Sequence, residues 1–163
     1  MMSEGLTWFA MGFGLGQSPV LPGTVGALPG VLLAWLILRW PRRVQLFATM
    51  SLIILAVPLC DVASRVLGGM DDKRIVADEF LGFPVAVIGQ PAARKSLVLA
   101  SVFLVSRILD GLKPPPAAQA ESIPGGLGIV LDDLAANLYA WLLLAGTSWI
   151  YYRWKGTKAI RRR

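Results

Sequence analysis

The sequence predicts an all-α protein: a compact, very apolar bundle of about five to seven helices, embedded in a membrane or lying at its interface. Three observations carry that expectation. Strand-like alternation persists nowhere and no internal repeat is visible. Long apolar runs at 25–38, 44–60 and 134–152 alternate with Gly- and Pro-rich breaks. Hydrophobic residues make up 55% of the chain and charged residues only 16%, where a soluble domain carries about 25% charged residues. The mean hydropathy is +0.61. Such a shortage of charge points to a membrane or to a very apolar homo-oligomer. At 163 residues, 1–163 is expected to form a single domain.

Taken in order, residues 12–29 are rich in Gly and Pro and read as a loop that opens into a helix. The run 25–38 closes on Arg39, Trp40 and Pro41, and the run 44–60 is interrupted only mildly by Gln45, Thr49 and Ser51. That second helix continues through Arg65 until Gly68 and Gly69 stop it. An acidic turn at Asp71-Asp72 leads into an apolar segment, 75–88, that contains Asp78-Glu79 and breaks at Gln90-Pro91. Residues 95–112 form a further helix ended by Pro114, Pro115 and Pro116. After a short polar linker and Pro124-Gly125-Gly126, a last helix runs over 127–152.

A spanning helix needs about 20 apolar residues. The first two runs are 14 and 17 residues long, and only 134–152 approaches full length. Basic residues stand at Arg39, Arg42 and Arg43 and in the tail 153–163, at helix ends opposite Gly23 and Asp132-Asp133. Positive residues mark the cytoplasmic side. Full spanning would therefore turn the acidic residues away from the cytoplasm, whereas short, tilted or re-entrant helices, or an interfacial oligomer, would not.

The chain has no histidine and a single cysteine, Cys60. Ser-His-Asp and Cys-His catalysis, imidazole-bound zinc, phosphohistidine chemistry and intrachain disulfides are thereby excluded. A reducing cytosolic setting is compatible. The net charge is +6, and six of the 16 basic residues fall in the last eleven positions beside Trp149, Tyr151, Tyr152 and Trp154. That pattern suits anionic lipid headgroups. No basic stripe or aromatic platform accompanies it, so nucleic acid is not an expected partner. Glu4, and Gly12, Gly14 and Gly16 within the first apolar stretch, do not fit a signal peptide.

Four groups of residues stand out chemically. Asp78-Glu79 is flanked on both sides by apolar residues, where a carboxylate is costly unless paired or bound to a metal; otherwise it is a solvated pair at a helix end. Arg107, Asp110 and Lys113 share one helix face just before Pro114, as an internal salt bridge or as a phosphate and ion site at a helix mouth. Gly125 and Gly126 precede Asp132-Asp133; free N–H groups there suit phosphate and the aspartates suit a metal, although two acids near a helix start are also favourable electrostatically. Ser18 through Gly23-Thr24 forms a second candidate anion loop, or simply a tight turn with Thr24 as N-cap. Hard oxygen donors without His or paired Cys select magnesium, and less specifically manganese or calcium. Carboxylates beside cations and Gly-rich helix mouths point to phosphoryl chemistry.

These blocks are also familiar as a set. Residues 12–26, 75–82 (IVADEFLG), 107–114 (RILDGLKP) and 125–133 (GGLGIVLDD) resemble, in order, four motifs of the phosphatidylglycerophosphatase A family, and the stretch they span, 12–140, is most of the chain. The resemblance implies magnesium-dependent hydrolysis of phosphatidylglycerophosphate to phosphatidylglycerol at the cytoplasmic face of a bacterial inner membrane. It carries over Thr24, Asp78, Glu79, Arg107, Asp110, Lys113, Asp132 and Asp133 as working residues. Three positions depart from the family pattern: Ser106 replaces an aromatic residue, Pro115-Pro116 replaces Trp-Pro, and Asn137 replaces Gly. These departures bear on lipid or headgroup fit.

The expected mechanism has magnesium held by Asp78 or Glu79 with Asp132 and Asp133. Arg107 and Lys113 bind the phosphate, Asp110 adds a ligand or orients water, and the attack is by water activated by the metal. No Cys-x5-Arg loop surrounds Cys60 and no Asp-x-Asp pair occurs, so a covalent phosphoenzyme is not expected. Two alternatives are a CDP-alcohol phosphatidyltransferase, whose aspartates would lie in one compact block, and a non-catalytic membrane scaffold. Magnesium would change neither stability nor activity of the scaffold.

Overall fold

A computed structural model describes residues 2–69, 72–120 and 122–160, with side chains as far as Lys155. Among these residues there are seven α-helices and no strand. They are α1 (Met2–Ala10), α2 (Pro22–Ile37), α3 (Arg42–Leu67), α4 (Ala77–Gly82), α5 (Ser96–Leu112), α6 (Ala117–Ala120) and α7 (Gly126–Ile160), with 3-10 turns at Gly12–Gln17, Phe83–Ala86 and Pro91–Arg94. Asp71 and Arg161, Arg162 and Arg163 of the basic tail lie outside the described residues.

Local chemistry explains most of the boundaries. α2 begins earlier than its apolar run because Pro22, with φ preset for a helix, occupies the first position behind a left-handed Leu21 (φ 48°). Thr24 is thus inside the first turn and does not cap it. α3 continues through Asp61 and Ser64 until Gly68 takes the left-handed conformation (φ 78°), its N–H donating to the Ser64 carbonyl. The apolar segment read over 75–88 is divided in two. Pro84 supplies no N–H, and the chain tightens into a 3-10 turn after the six residues of α4. Lys113 ends α5 in a left-handed conformation (φ 44°) immediately before the prolines.

α3 and α7 are both long and apolar enough to cross a membrane, which corrects the shorter run read for α3. Only 28% of the most apolar stretch of α3 is buried within the protein. Its Phe47, Met50 and Ile54 are exposed, as are Leu28 and Leu32 of α2.

Two apolar clusters form the core, the second including Ala77, Phe80 and Leu81 of α4 and the first beginning at Phe83 just after it. One joins Ala34 of α2 and Leu38 at its C-cap with Phe83, Phe103 of α5 and Ala140 and Leu144 of α7. The other joins Ala10 of α1 and Ala56, Cys60 and Ala63 of α3 with Val76, Phe80 and Val130. The short α4 lies directly on α2, whose Gly23, Gly26 and Gly30 form one stripe. A methyl group added at Gly30 would lie 2.7 Å from the Phe80 carbonyl oxygen and 2.9 Å from its Cα. Overpacking of that kind costs about 1–3 kcal/mol. Gly30→Ala is therefore expected to lower the thermal midpoint by roughly 3–10 °C. Gly146→Ala, which meets nothing within 4 Å, should lower it not at all; differential scanning of both variants checks this.

Candidate active site

The packing of α4 brings all five expected carboxylates into one cleft of about 390 Å³. Asp78 and Glu79 come from α4, Asp110 from the last turns of α5, and Asp132 and Asp133 from α7. Arg107 and Lys113 also line it, and from α2 so do Gly23 and Thr24. Val76 fixes the entry to α4 by donating its N–H to the Ala10 carbonyl at 2.9 Å.

Arg107 is the hub. Its Nη2 lies 2.6 Å from Asp133 Oδ1, and its Nη1 lies 3.1 Å from Glu79 Oε2 and 3.7 Å from Asp110 Oδ2. The side chain is only 8% exposed, so one buried guanidinium joins carboxylates from three helices. Lys113 Nζ lies 2.7 Å from Asp132 Oδ2. Asn137, fully buried one turn beyond Asp133, donates from Nδ2 to Asp133 Oδ2 at 2.9 Å. Two of the three unusual positions thus behave differently. Ser106 turns into its own helix, donating to the Phe103 carbonyl at 2.8 Å, whereas Asn137 holds a cleft carboxylate. At the third, the Pro115 carbonyl accepts a hydrogen bond from Tyr139 Oη.

Two expected anion-binding elements lie elsewhere. Ser18 Oγ donates to the Val20 carbonyl at 3.0 Å, closing a local turn outside the cleft. Gly125 and Gly126 pack on α3, where the Gly126 N–H donates to Asp61 Oδ1 at 3.3 Å. A methyl at Gly126 would fall 2.1 Å from the Val57 carbonyl oxygen, so this glycine serves close helix packing. Conversely, the cleft contains a cation that sequence reasoning passed over. Lys73, five residues before Asp78, is exposed and lines the cleft. Its signal was the lysine beside the acidic turn, which was read only for its aspartates.

Five carboxylates face three cations, a formal excess of two negative charges when all five are ionised. Burial pushes the Asp78 carboxyl well above its usual range, reinforced by Glu79 and Asp133. Its Oδ1 is buried without a hydrogen-bond partner among the described residues. Burial likewise raises Asp110 to about 6, with Asp133 adding to the effect. No three acidic side chains among the described residues converge on one point as a ready metal cage. Magnesium does not require one, because it is commonly held by one or two carboxylates plus waters and phosphate oxygens. The unpartnered Asp78 oxygen and the surplus negative charge fit that mode of binding.

A pH dependence follows. The folded state binds the Asp110 proton more tightly than the unfolded chain, so this contribution to stability is present near pH 3.8 and is lost as the pH rises through about 6. In chelator, the midpoint of the wild type should fall between about pH 4 and 6 relative to that of Asp110→Asn. Magnesium should diminish the difference, as read from parallel thermal melts.

The family model described as phosphatidylglycerophosphatase A matches residues 8–148. The chain belongs to the phosphatidylglycerophosphatase A family. Membership makes it a phosphoric monoester hydrolase. A phosphatidylglycerophosphatase A of Escherichia coli is 34% identical over 84% of this chain and 80% of its own length. Another from Haemophilus influenzae is 34% identical over 80% and 81%. A Bacteroides thetaiotaomicron protein, provisionally named a phosphatidylinositol-3-phosphatase, is 32% identical over 85% of this chain and 91% of its own length. No solved structure matches the chain.

Proposed function

We propose that this member of the family hydrolyses phosphatidylglycerophosphate to phosphatidylglycerol and phosphate, with magnesium, at the surface of a bacterial membrane. The observation that carries this reading is the composition of one cleft: carboxylates and cations inside, exposed apolar side chains at its edge. Leu21, 67% exposed, lines the cleft, and Leu112, 71% exposed, lies next to Lys113. A soluble phosphate ester has no use for such an edge, whereas a lipid can rest its glycerol backbone there while its phosphate enters the charged interior.

In this reading the phosphate oxygens compete with Asp133 and Asp132 for Arg107 and Lys113, and Lys73 meets the phosphate from the open side. Magnesium would be held by Asp78 or Glu79 with Asp132 and Asp133, where it would offset phosphate charge and favour ionisation of water. Water adds to phosphorus, the bond to the glycerol oxygen breaks, and that oxygen takes a proton. A carboxyl with raised proton affinity, such as Asp110, suits the handling of such a proton.

Phosphate release from phosphatidylglycerophosphate in mixed micelles tests the proposal. Turnover should require magnesium, stop with chelator and return on readdition; turnover unaffected by chelator would overturn the metal assignment. The Bacteroides relative motivates a parallel assay with phosphatidylinositol-3-phosphate. Faster release from that lipid would reassign the headgroup while leaving the chemistry unchanged.

A further inference from the structure

Charge is segregated along this chain, and the fold turns that segregation into two different ends. No acidic residue occurs within 5–60, 80–109 or 134–163. Arg39, Arg42 and Arg43 at the α2–α3 turn, Arg94 and Lys95 before α5, and Arg153 and Lys155 on α7 all come from those stretches, and all are exposed. Contacts tie the three regions together. Arg94 Nε donates to the Leu38 carbonyl at 3.1 Å, Gln45 donates to the Trp40 carbonyl and accepts from the Gly89 N–H, both at 2.9 Å, and Lys95 lies near enough to Tyr151 to act on it electrostatically.

The cations of this collar are interleaved with aromatic rings. The Arg39 guanidinium lies 3.4 Å from the Trp35 ring centroid, Arg153 lies 5.1 Å from Trp149, and Lys155 Nζ lies 5.0 Å from Tyr151. Trp40, Tyr152 and Trp154 are also exposed. Rings with a polar edge beside long cationic side chains are the composition favoured at a headgroup layer.

Distance supplies the second argument. From Asp133 to Arg153 the chain rises about 30 Å along α7, and the hydrocarbon core of a bilayer is about 30 Å thick. No charged residue lies between 134 and 152 on α7 or between 44 and 60 on α3. The outer faces of these stretches carry exposed Leu138 and Leu142, and Phe47, Met50 and Ile54.

The geometry points to a lipid-binding collar: the cationic and aromatic side chains at the end remote from the cleft bind the phosphates of anionic lipid headgroups. Cleft and collar then occupy the two opposite headgroup layers of one bilayer, joined by α3 and α7. The cations supply the charge complement of anionic lipid. The inference does not depend on which phosphate ester the cleft hydrolyses.

Two measurements test it. In detergent micelles, added phosphatidylglycerol should raise the thermal midpoint more than added phosphatidylcholine, and salt should weaken the difference. The combined variant Arg42→Gln, Arg43→Gln, Lys95→Gln should lose most of that difference while keeping phosphatase turnover within about twofold, because its cleft is intact. A full difference in the variant would overturn the headgroup assignment, since the binding would then lie elsewhere. Gln17 is exposed beside Gly16, which packs on the Arg74 backbone next to the cleft residue Lys73. In cells, Arg43→Cys and Gln17→Cys, each introduced with Cys60→Ala, should react with an impermeant maleimide from opposite sides of the membrane. Labelling of both from the same side would overturn the spanning arrangement, whatever the activity.

Discussion

Asp78→Asn is expected to reduce turnover by about a hundredfold to ten-thousandfold while the folded protein melts at the same temperature or higher. The two halves of that result share one cause. Asp78 is buried, has an oxygen without a hydrogen-bond partner among the described residues, and faces the charges of Glu79 and Asp133. Its ionised form is therefore costly in the protein without magnesium. The amide keeps the shape of the carboxylate and never ionises, so the variant escapes that cost. It also loses a negative oxygen donor for a cation and a group able to exchange a proton. A site under strain for function is where stability and activity part company. The assay pairs phosphate release with thermal melts in chelator and in magnesium. Magnesium should raise the wild-type midpoint and leave the variant nearly unmoved. Full turnover in the variant would remove Asp78 from the reaction.

The ease with which Asp78 could be found in the sequence has a physical basis. Charges flanked by Ile75, Val76, Phe80 and Leu81 are conspicuous because burial makes them expensive. The same contrast marked Asp132-Asp133 before the uncharged length of α7, and the prolines after Lys113 marked the end of α5. The all-helical class was legible for a similar reason, since apolar runs between Gly and Pro breaks leave little else to form. Features that depend on neighbours distant in sequence were not. Gly125 and Gly126 have the composition of an anion loop, and only the approach of Val57 and Asp61 from α3 shows that they serve packing. Lys73 is an ordinary surface lysine until α4 and α5 bring Asp78 and Asp110 to the same cleft. Asn137 stood out as a departure from the family pattern, but its role required the position of Asp133 one turn earlier and the absence of a side chain at Gly82. A methyl at Gly82 would come within 3.1 Å of Asp133 Oδ2. The division of 75–88 was written in Pro84, and it was obscured by the continuous apolar character around it.

Arg107→Ala is expected to fail in both respects. A single guanidinium bridges Glu79, Asp110 and Asp133, and its removal leaves three carboxylates facing one another in a mostly buried space. Breaking one side of a buried pair costs about 3–5 kcal/mol, because the partner charge is left uncompensated. Loss of the cation proposed to meet phosphate should cost about a hundredfold to a thousandfold in turnover besides. Arg107→Lys should recover part of the stability and little of the activity. An ammonium can approach one carboxylate closely, but it cannot reproduce a planar fork reaching Asp133 with one nitrogen and Glu79 and Asp110 with the other. The decisive measurement is the double variant Arg107→Ala, Asp133→Asn. If charge imbalance is the source of the instability, neutralising Asp133 should return about 1–3 kcal/mol of the loss without returning activity. Strict additivity of the two stability changes would mean that Arg107 acts through packing alone, and the electrostatic account of the cleft would fail with it.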